Sequence, residues 1–184
     1  MCDKILETDR LWLRKLTQTD YDNLCGILQD AACMYAYEHA FSDDEVQQWL
    51  DNQLRRYRED GFGLWAVIRK SDGAFVGQCG LTWQAWDDRR VPEVGYLFRR
   101  DCWHNGYAAE AARGVRDWAF ATYAFDAVYS IIRDTNTASQ QVAQRNGMRP
   151  VGAIVKHYYG VDMPHVVYAA ARKVVDKMPL QTEE

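Results

Sequence analysis

The residues best suited to chemistry lie in one stretch, 93–111. It is predicted to be a strand that ends near Phe98, a short loop that contains Gly106, and a helix that begins with small residues. The first turn of a helix leaves backbone N–H groups without partners at the positive end of its dipole, so it can bind an anion. The stretch has neither the Lys-Ser/Thr of a P-loop nor G-x-G-x-x-G. Two interpretations remain: a metal-free pyrophosphate site, or a plain strand–loop–helix connection.

Glu93 is the candidate general base of this stretch. A primary amine has a pKa of about 10, so at neutral pH it must lose a proton before it can attack an electrophile. A carboxylate at the start of a strand could accept that proton directly or through a water molecule. The alternative interpretation is a surface glutamate that follows Pro92.

Two polar residues begin a short predicted helix, and a cysteine lies beside the loop. Asn136 is a typical N-cap, and Ser139 is at minimum a tolerated small residue in the first turn. Cys102 suggests a covalent acyl-enzyme, but the nearby His104 is interpreted as a loop residue and not as an activating base, which favours direct attack by the amine. The four histidines are not spaced like metal ligands.

The hydrophobic patterns predict a mixed α/β sheet flanked by helices, in the order β-α-α-β-β-β-α-β-α-β-β. The predicted strands are residues 10–16, 62–68, 74–83, 91–98, 127–132, 149–157 and 164–173. Capping boxes at Thr17 and Ser42 begin two helices, and two more cover about 105–123 and 137–146. The crossover through 105–123 predicts that strands 91–98 and 127–132 are parallel. Residues 1–173 are predicted to form one domain, and 174–184 a frayed tail.

Composition narrows the class of protein. The chain has 184 residues, a formal net charge of −4 and 48% apolar residues, which is typical of a globular domain without a basic surface for nucleic acid. The longest apolar run has six residues, too few to cross a membrane, and the N-terminus does not resemble a signal peptide. Five scattered cysteines indicate reduced thiols, so we expect a cytoplasmic protein that binds neither membrane nor nucleic acid.

Four segments together resemble the GNAT N-acetyltransferase superfamily, most closely the RimJ/RimL branch of ribosomal-protein N-terminal acetyltransferases. They are residues 7–14 (ETDRLWLR), 93–97 (EVGYL), 103–111 (WHNGYAAEA), and 136–139 (NTAS) continuing to 146–149 (NGMR). Their order and separation match that branch over most of residues 7–172. The chain departs from the superfamily at two positions: Trp103 begins the pyrophosphate loop, and Ala143 stands where many members have a tyrosine acid.

The resemblance implies a single GNAT fold with acetyl-CoA as co-substrate and no metal. It implies that backbone amides of the loop bind the pyrophosphate, the loop residues being Trp103, His104, Asn105, Gly106, Tyr107 and Ala108. The pantetheine arm would pair with Leu97, Phe98 and Arg99, and an amide near Leu97 or Phe98 would stabilise the oxyanion. Asn136 would hydrogen-bond pantetheine, a role it can combine with capping. Ser139 would assist departure of the thiolate, and Glu93 would be the base.

The resemblance also implies an acceptor amine and a ternary-complex mechanism. A protein N-terminal amine is the leading acceptor, and a small amine (a polyamine, an amino acid or an antibiotic) is the alternative. A catalytically weak acyl-CoA-binding module is a different class of interpretation, and the chain could be a monomer or a homodimer. The acceptor site would be formed by residues 18–59, 83–91 and 158–164. These contain aromatic side chains (Tyr35, Tyr37, Trp83, Trp86, Tyr158, Tyr159) and acids (Glu38, Asp43, Asp44, Asp87, Asp88).

Overall fold

The computed structural model describes residues 4–172 as one eight-stranded sheet with four α-helices. The predicted tail at 174–184 lies outside these residues. The strands are β1 (Lys4–Glu7), β2 (Leu11–Lys15), β3 (Leu64–Arg69), β4 (Phe75–Trp86), β5 (Arg89–Phe98), β6 (Ala127–Arg133), β7 (Arg149–Tyr158) and β8 (Val161–Ala171). The helices are α1 (Tyr21–Leu28), α2 (Asp43–Glu59), α3 (Tyr107–Thr122) and α4 (Thr137–Arg145).

The sheet order is β1-β2-β3-β4-β5-β6-β8-β7. Every neighbouring pair is antiparallel except β5 and β6, which are parallel on either side of the crossover through α3. This confirms the predicted parallel pair and the α/β fold class. It also places the C-terminal end of β5 directly before the loop that leads to α3.

The structure differs from the predicted elements at one terminus and at two hairpins. β1 was not predicted, because four residues are too few to establish a period of two. β4 and β5 extend further than predicted and are joined by Asp87 and Asp88, with φ of 46° and 56°. β7 and β8 are joined by Tyr159 and Gly160, with φ of 52° and 74°, so β8 begins three residues earlier than predicted. A two-residue hairpin loop of type I′ requires positive φ at both of its central residues.

The core lies on both faces of the sheet. Successive side chains of β3 point to opposite faces of the sheet. Val67 packs against α3, with Ala111, Ala112 and Val115 in the same hydrophobic cluster. Its neighbours Ala66 and Ile68 pack on the other face, against α1 and α2. The predicted capping boxes at Thr17 and Ser42 are both present. Among residues 4–172, no helix combines the length and the apolar content needed to cross a bilayer.

A hydrogen-bonded carboxylate ties the N-terminal strands to α3. Glu110 Oε1 accepts bonds from Thr8 Oγ1 (2.6 Å) and the Arg10 amide (2.8 Å), and Oε2 accepts one from Arg10 Nε (2.7 Å). Burial alone would raise the pKa of Glu110, but these hydrogen bonds outweigh it and leave the pKa below its usual value. Glu110 therefore anchors the first turn of α3, which positions the loop before it.

Candidate active site

The sheet opens between its two parallel strands. Within the described chain, β5 and β6 pair at a single position, Glu93 opposite Tyr129. Beyond it, β5 remains paired with β4 as far as Phe98, whereas β6 remains paired with β8 as far as Arg133. Each strand follows its outer neighbour, so a gap forms between β5 and β6 toward their C-terminal ends.

Two side chains replace main-chain hydrogen bonds where the gap begins. In a regular parallel ladder the Ile131 amide would donate to the Val94 carbonyl. Here Ile131 N donates to Glu93 Oε1 at 2.9 Å, and the Val94 carbonyl accepts the Ser130 hydroxyl at 2.8 Å. The carboxylate of Glu93 therefore lies at the fork of the sheet, which contradicts the interpretation of Glu93 as a surface residue.

The environment of Glu93 favours a proton acceptor. Burial raises the pKa of Glu93 above its usual range, and the nearby charge of Lys156, the Ile131 amide and the Thr82 hydroxyl partly oppose this. The Thr82 hydroxyl donates to Oε2 at a long 3.3 Å. A carboxylate with a raised pKa and only two protein donors has lone pairs left for an incoming proton.

The backbone of β5 beyond Glu93 presents its amides in two directions. Arg99 N donates to the Val76 carbonyl at 3.0 Å, which makes this position a hydrogen-bonded pair of the β4–β5 ladder. By alternation, Leu97 also uses its main chain toward β4, whereas the main chains of Tyr96 and Phe98 face the gap. Of the two amides predicted as oxyanion donors, Phe98 is the one with the correct orientation.

The loop before α3 brings several donors to one end of the gap. His104 and Gly106 have left-handed φ values of 60° and 78°, and Gly106 is the N-cap of α3. Asn105 Nδ2 donates to the Cys102 and Trp103 carbonyls, which keeps the loop compact. Glu110 N is the first amide to bond a helix carbonyl, that of Gly106. Within residues 4–172, the amides of the first three residues of α3 (Tyr107, Ala108 and Ala109) therefore have no acceptor.

Two side chains flank this loop. Trp103 Nε1 donates to the Phe98 carbonyl at 2.9 Å, which fixes the exposed indole at the end of β5. The Arg10 guanidinium lies 4.8 Å from the centre of the Tyr107 ring, next to Gly106. The loop residues are thus held by contacts to β5 and to the N-terminal segment. The Trp103 amide is itself bonded to the Arg100 carbonyl at 3.2 Å, so the available amides are those that follow it.

Asn136 and Ser139 lie at the start of α4, on the β6 side of the gap. Asn136 Oδ1 accepts the Ser139 amide at 3.0 Å, which confirms the N-cap, and also accepts the Tyr35 hydroxyl at 2.7 Å. No residue of the described chain accepts a hydrogen bond from Asn136 Nδ2. The Tyr96 hydroxyl donates to the Ser139 carbonyl at 2.9 Å and so links β5 to α4 across the gap.

A cavity of about 480 Å³ opens from this gap toward α2 and the β7–β8 hairpin. We call it the cleft, and its lining residues include four of the predicted site residues: Glu93, Leu97, Asn136 and Ser139. Phe98, Arg99 and residues 103–108 do not line it, because the loop lies beyond the end of β5. The predicted residues thus fall into two groups: those around the cleft and those around the loop.

The sequence placed α2 in the predicted acceptor wall, within residues 18–59, but the α2 side chains that line the cleft were not identified. One face of α2 contributes Glu45, Gln48, Trp49, Asn52 and Arg56, which follow the i, i+3, i+4, i+7, i+11 spacing of a single helix face. This spacing was the available signal. It was missed because a polar helix face is usually solvated, and only the tertiary structure places this one against Glu93.

Some of the predicted acceptor residues line the cleft, whereas others, such as the exposed Tyr35, do not. Tyr37, Tyr158 and Tyr159 line the cleft. Trp83 packs on Phe62 and Phe125, and buried Trp86 packs on Tyr129, so neither tryptophan lines it. The five predicted acids (Glu38, Asp43, Asp44, Asp87, Asp88) do not line it either. Among residues 4–172, no group of three or more His, Cys, Asp or Glu side chains could hold a metal ion.

Comparisons with known proteins agree on one family. The family model described as an acetyltransferase (GNAT) domain matches residues 10–149. YkkB of Bacillus subtilis (strain 168), described as uncharacterized, is 35% identical over 78% of this chain and 84% of its own. An acetyltransferase structure from Agrobacterium tumefaciens str. C58 has a TM-score of 0.76 at 24% identity, covering 94% of this chain and 96% of its own. RimL, a ribosomal L7/L12 alpha-N-protein acetyltransferase in complex with coenzyme A, has a TM-score of 0.75 at 15% identity, covering 92% and 98%.

Proposed function

This chain belongs to the GNAT acetyltransferase family, and from that premise we propose that it transfers the acetyl group of acetyl-CoA to a primary amine by direct attack in a ternary complex. The observation that carries the proposal is the fork between β5 and β6, which has Glu93 at its start and open β5 main chain beyond it. A fork of this kind gives an extended thioester arm a strand edge to pair with and places a base beside its reacting end.

The coenzyme would bind along the loop and the open edge of β5. Of the predicted amides at 103–108, those of residues 104–108 would bind the pyrophosphate, because within residues 4–172 the amides at the start of α3 have no acceptor and lie at the positive end of the helix. The pantetheine arm would run along Leu97, Phe98 and Arg99 and pair with the main chains that face the gap, those of Tyr96 and Phe98. Asn136 would add a donor through its free Nδ2 while its Oδ1 caps α4.

The chemistry assigned to the chain's own residues has three parts. The carboxylate of Glu93 takes a proton from the acceptor ammonium, and the amine nitrogen then forms a bond to the thioester carbonyl carbon. The Phe98 amide, directed into the gap, donates to the carbonyl oxygen as negative charge develops there. As the carbon–sulfur bond breaks, the electron pair leaves on sulfur, and a hydrogen bond from the Ser139 hydroxyl stabilises the thiolate. The nitrogen gives up its second proton, which balances the charge of the thiolate and leaves a neutral amide.

Cys102 supports direct attack over an acyl-enzyme. Its side chain is buried and does not line the cleft. Burial raises the pKa of the Cys102 thiol, and the neighbouring Asp101 carboxylate raises it further. A thiol in this environment is a poor nucleophile at neutral pH.

The proposal admits two classes of acceptor, a protein N-terminal amine and a small amine. The likeness of the fold to RimL agrees with the first, and the polar α2 side chains that line the cleft agree with the second. A weak acyl-CoA-binding module is the remaining alternative. It predicts coenzyme binding without release of free coenzyme A when an amine is added.

The first experiment measures thermal stability with acetyl-CoA, with desulfo-coenzyme A and with adenosine 3′,5′-bisphosphate. A ligand at 100 times its dissociation constant stabilises by about 2.7 kcal/mol. For a domain of this size we expect the melting temperature to rise by roughly 5–10 °C. A shift that requires the whole coenzyme supports the proposal, and thiol release on adding amines then tests catalysis. No shift at millimolar acetyl-CoA would refute the site.

A further inference from the structure

The cleft contains two basic side chains that have no acidic partner. Arg56 of α2 and Lys156 of β7 both line it, from different walls, and both are partly buried. Among residues 4–172, neither forms a salt bridge. A cation that has lost part of its water without forming a salt bridge keeps donors that are not fully satisfied, so such a pair can be completed by an anion from outside the chain.

Arg56 has only a weak neutral partner. Its Nη1 donates to Gln53 Oε1 at 3.3 Å. The acid one helical turn further along, Asp60, instead contacts Arg90 at 3.6 Å. Burial lowers the pKa of Arg56 and the adjacent charge of Arg55 lowers it further, whereas the charges of Asp60 and Glu93 oppose this only in part.

Lys156 of β7 likewise has only a neutral hydrogen-bond partner. Its Nζ donates to the neutral Gln84 Oε1 at 3.3 Å. Its charge acts on Glu93, and so does that of Arg56. Glu93 supplies one negative charge against these two positive ones, and its oxygens already accept the Ile131 amide and the Thr82 hydroxyl.

The other acid that lines the cleft, Glu45, is held by hydrogen bonds away from Arg56 and Lys156. Glu45 accepts hydrogen bonds from His39 Nε2 at 2.9 Å and 3.1 Å, and from the Ser42 amide at 2.8 Å. Glu38, which lies outside the lining, forms a salt bridge with Arg133. Among the arginine and lysine side chains that line the cleft, Arg56 and Lys156 are therefore the two without a salt bridge within residues 4–172, and their remaining N–H donors can bind an anion.

We propose that the acceptor amine carries an anionic group, a carboxylate or a phosphate, that binds to Arg56 and Lys156 while its nitrogen faces Glu93. This inference rests on the proposed function, because it assigns the cleft to the acceptor. It disfavours an acceptor with a second positive charge, such as a polyamine, because Arg56 and Lys156 would repel that charge. It is compatible with a free amino acid, an amine phosphate, or a protein N-terminus next to an acidic side chain.

The test compares amines that differ only in the anion, with acetyl-CoA saturating and the pH on the upper plateau of the rate profile. The pairs are aspartate and its diamide, O-phosphoethanolamine and ethanolamine, and peptides that begin Ala-Asp or Ala-Asn; spermidine is the cationic reference. We expect kcat/KM to be about 10–100-fold higher for the anionic member of at least one pair, as for a hydrogen bond to a charged group. Which pair shows the preference identifies the source of the anion.

Variants then connect the preference to the two cations. Arg56→Gln and Lys156→Gln should each lower kcat/KM for the anionic member more than for the neutral member, so that most of the preference is lost, because the bond to the anion is absent for the neutral member. Arg55→Gln is the matched control: Arg55 is the neighbouring residue on α2, its side chain is 48% exposed, and it pairs with Glu59 outside the cleft. It should leave the preference unchanged.

Three results would overturn the inference. The first is that no pair favours its anionic member in rate or in binding to the coenzyme A complex, and the second is that spermidine is the best acceptor. The third is that the variants lower kcat/KM equally for both members of a pair. Equal losses would mean that the cations serve Glu93 alone. The thermal shift with acetyl-CoA, recorded on the same samples, separates this failure from failure of the proposed function. A normal shift without an anion preference refutes only the anion site.

Discussion

The carboxylate of Glu93 stands in for a main-chain carbonyl of β5, accepting the Ile131 amide at 2.9 Å where the two parallel strands separate. The same side chain therefore stabilises the fork and faces the cleft that the fork creates. A structural role and a catalytic role for Glu93 can be separated by two substitutions, because a glutamine retains the oxygen that Ile131 requires and an alanine does not.

Glu93→Gln should lower kcat by about 10²–10⁴-fold, because the amide cannot accept the acceptor's proton. The melting temperature and the acetyl-CoA shift should stay close to those of the wild type. Glu93→Ala should lose activity and also about 1–3 kcal/mol of stability, because the Ile131 amide loses its partner. Steady-state rates and thermal melts of both variants check this. Full activity of Glu93→Gln on a verified acceptor would remove Glu93 from the mechanism.

The rate should rise with pH through the raised pKa of Glu93, since the carboxylate is the active form. Lys156 opposes the effect of burial, so Lys156→Met should move this acid limb of kcat/KM to higher pH. Arg55→Gln, which changes a charge outside the cleft, should leave the limb in place. If the acid limb instead shifts with the pKa of each acceptor's ammonium group and is unchanged in Lys156→Met, it does not reflect the titration of Glu93.

Ser139→Ala should lower kcat by about 10–100-fold and leave the dissociation constant of coenzyme A nearly unchanged, because the lost hydrogen bond is made to the leaving thiolate. The backbone at Ser139, which accepts the Tyr96 hydroxyl at 2.9 Å, is retained in this variant. Tyr96→Phe is the comparison that loosens the start of α4 without touching the serine hydroxyl. Single-turnover rates measured at several coenzyme concentrations separate an effect on turnover from an effect on coenzyme binding. Unchanged turnover in Ser139→Ala would mean that Ser139 has only a structural role in α4.

Asn136→Asp and Asn136→Ala should separate capping from coenzyme binding. Aspartate retains the oxygen that caps α4 and accepts the Tyr35 hydroxyl, but it lacks the Nδ2 donor. We expect Asn136→Asp to keep its stability and lose coenzyme affinity, and Asn136→Ala to lose about 1 kcal/mol of stability as well. Calorimetric titration with coenzyme A and thermal melts are the measurements. Wild-type affinity in Asn136→Asp would leave Asn136 as a cap alone.

Asp20→Asn should destabilise the fold by roughly 3 kcal/mol, because it breaks a buried ion pair in which Arg14 binds both oxygens of Asp20 at 2.6 and 2.7 Å. Burial alone would raise the pKa of Asp20, but the bonds from Arg14 and Thr17 outweigh it and lower the pKa. This stability is present above the unfolded pKa of about 3.9 and is lost as the pH falls through the lower folded value.

Melting curves at neutral pH and at successively lower pH check this, with Asp72→Asn, in an exposed pair with Arg69, as the control. The control should change stability by less than about 1 kcal/mol. A gap between wild type and Asp20→Asn that is constant down to acid pH would contradict the role of the ion pair.

Local patterns in the sequence determined the order of the helices and of the strands other than β1, and the family resemblance supplied most of the candidate site residues. Capping boxes, apolar periodicity and the turn before Gly147, whose φ is 73°, depend on neighbours within a few residues, so they can be predicted without the fold. The loop at 103–108 and the cap at Asn136 belong to the same class, since helix starts are local structures.

The tertiary structure decided how those residues meet. Whether Phe98 or Leu97 directs its amide into the gap depends on the β4–β5 register, which relates residues about 20 positions apart. The pairing of Glu93 with Ile131 and the position of Arg56 and Lys156 on facing walls depend on contacts between strands and helices distant in sequence. A polar helix face such as that of α2 has the same pattern whether it faces water or a substrate, and only packing distinguishes the two.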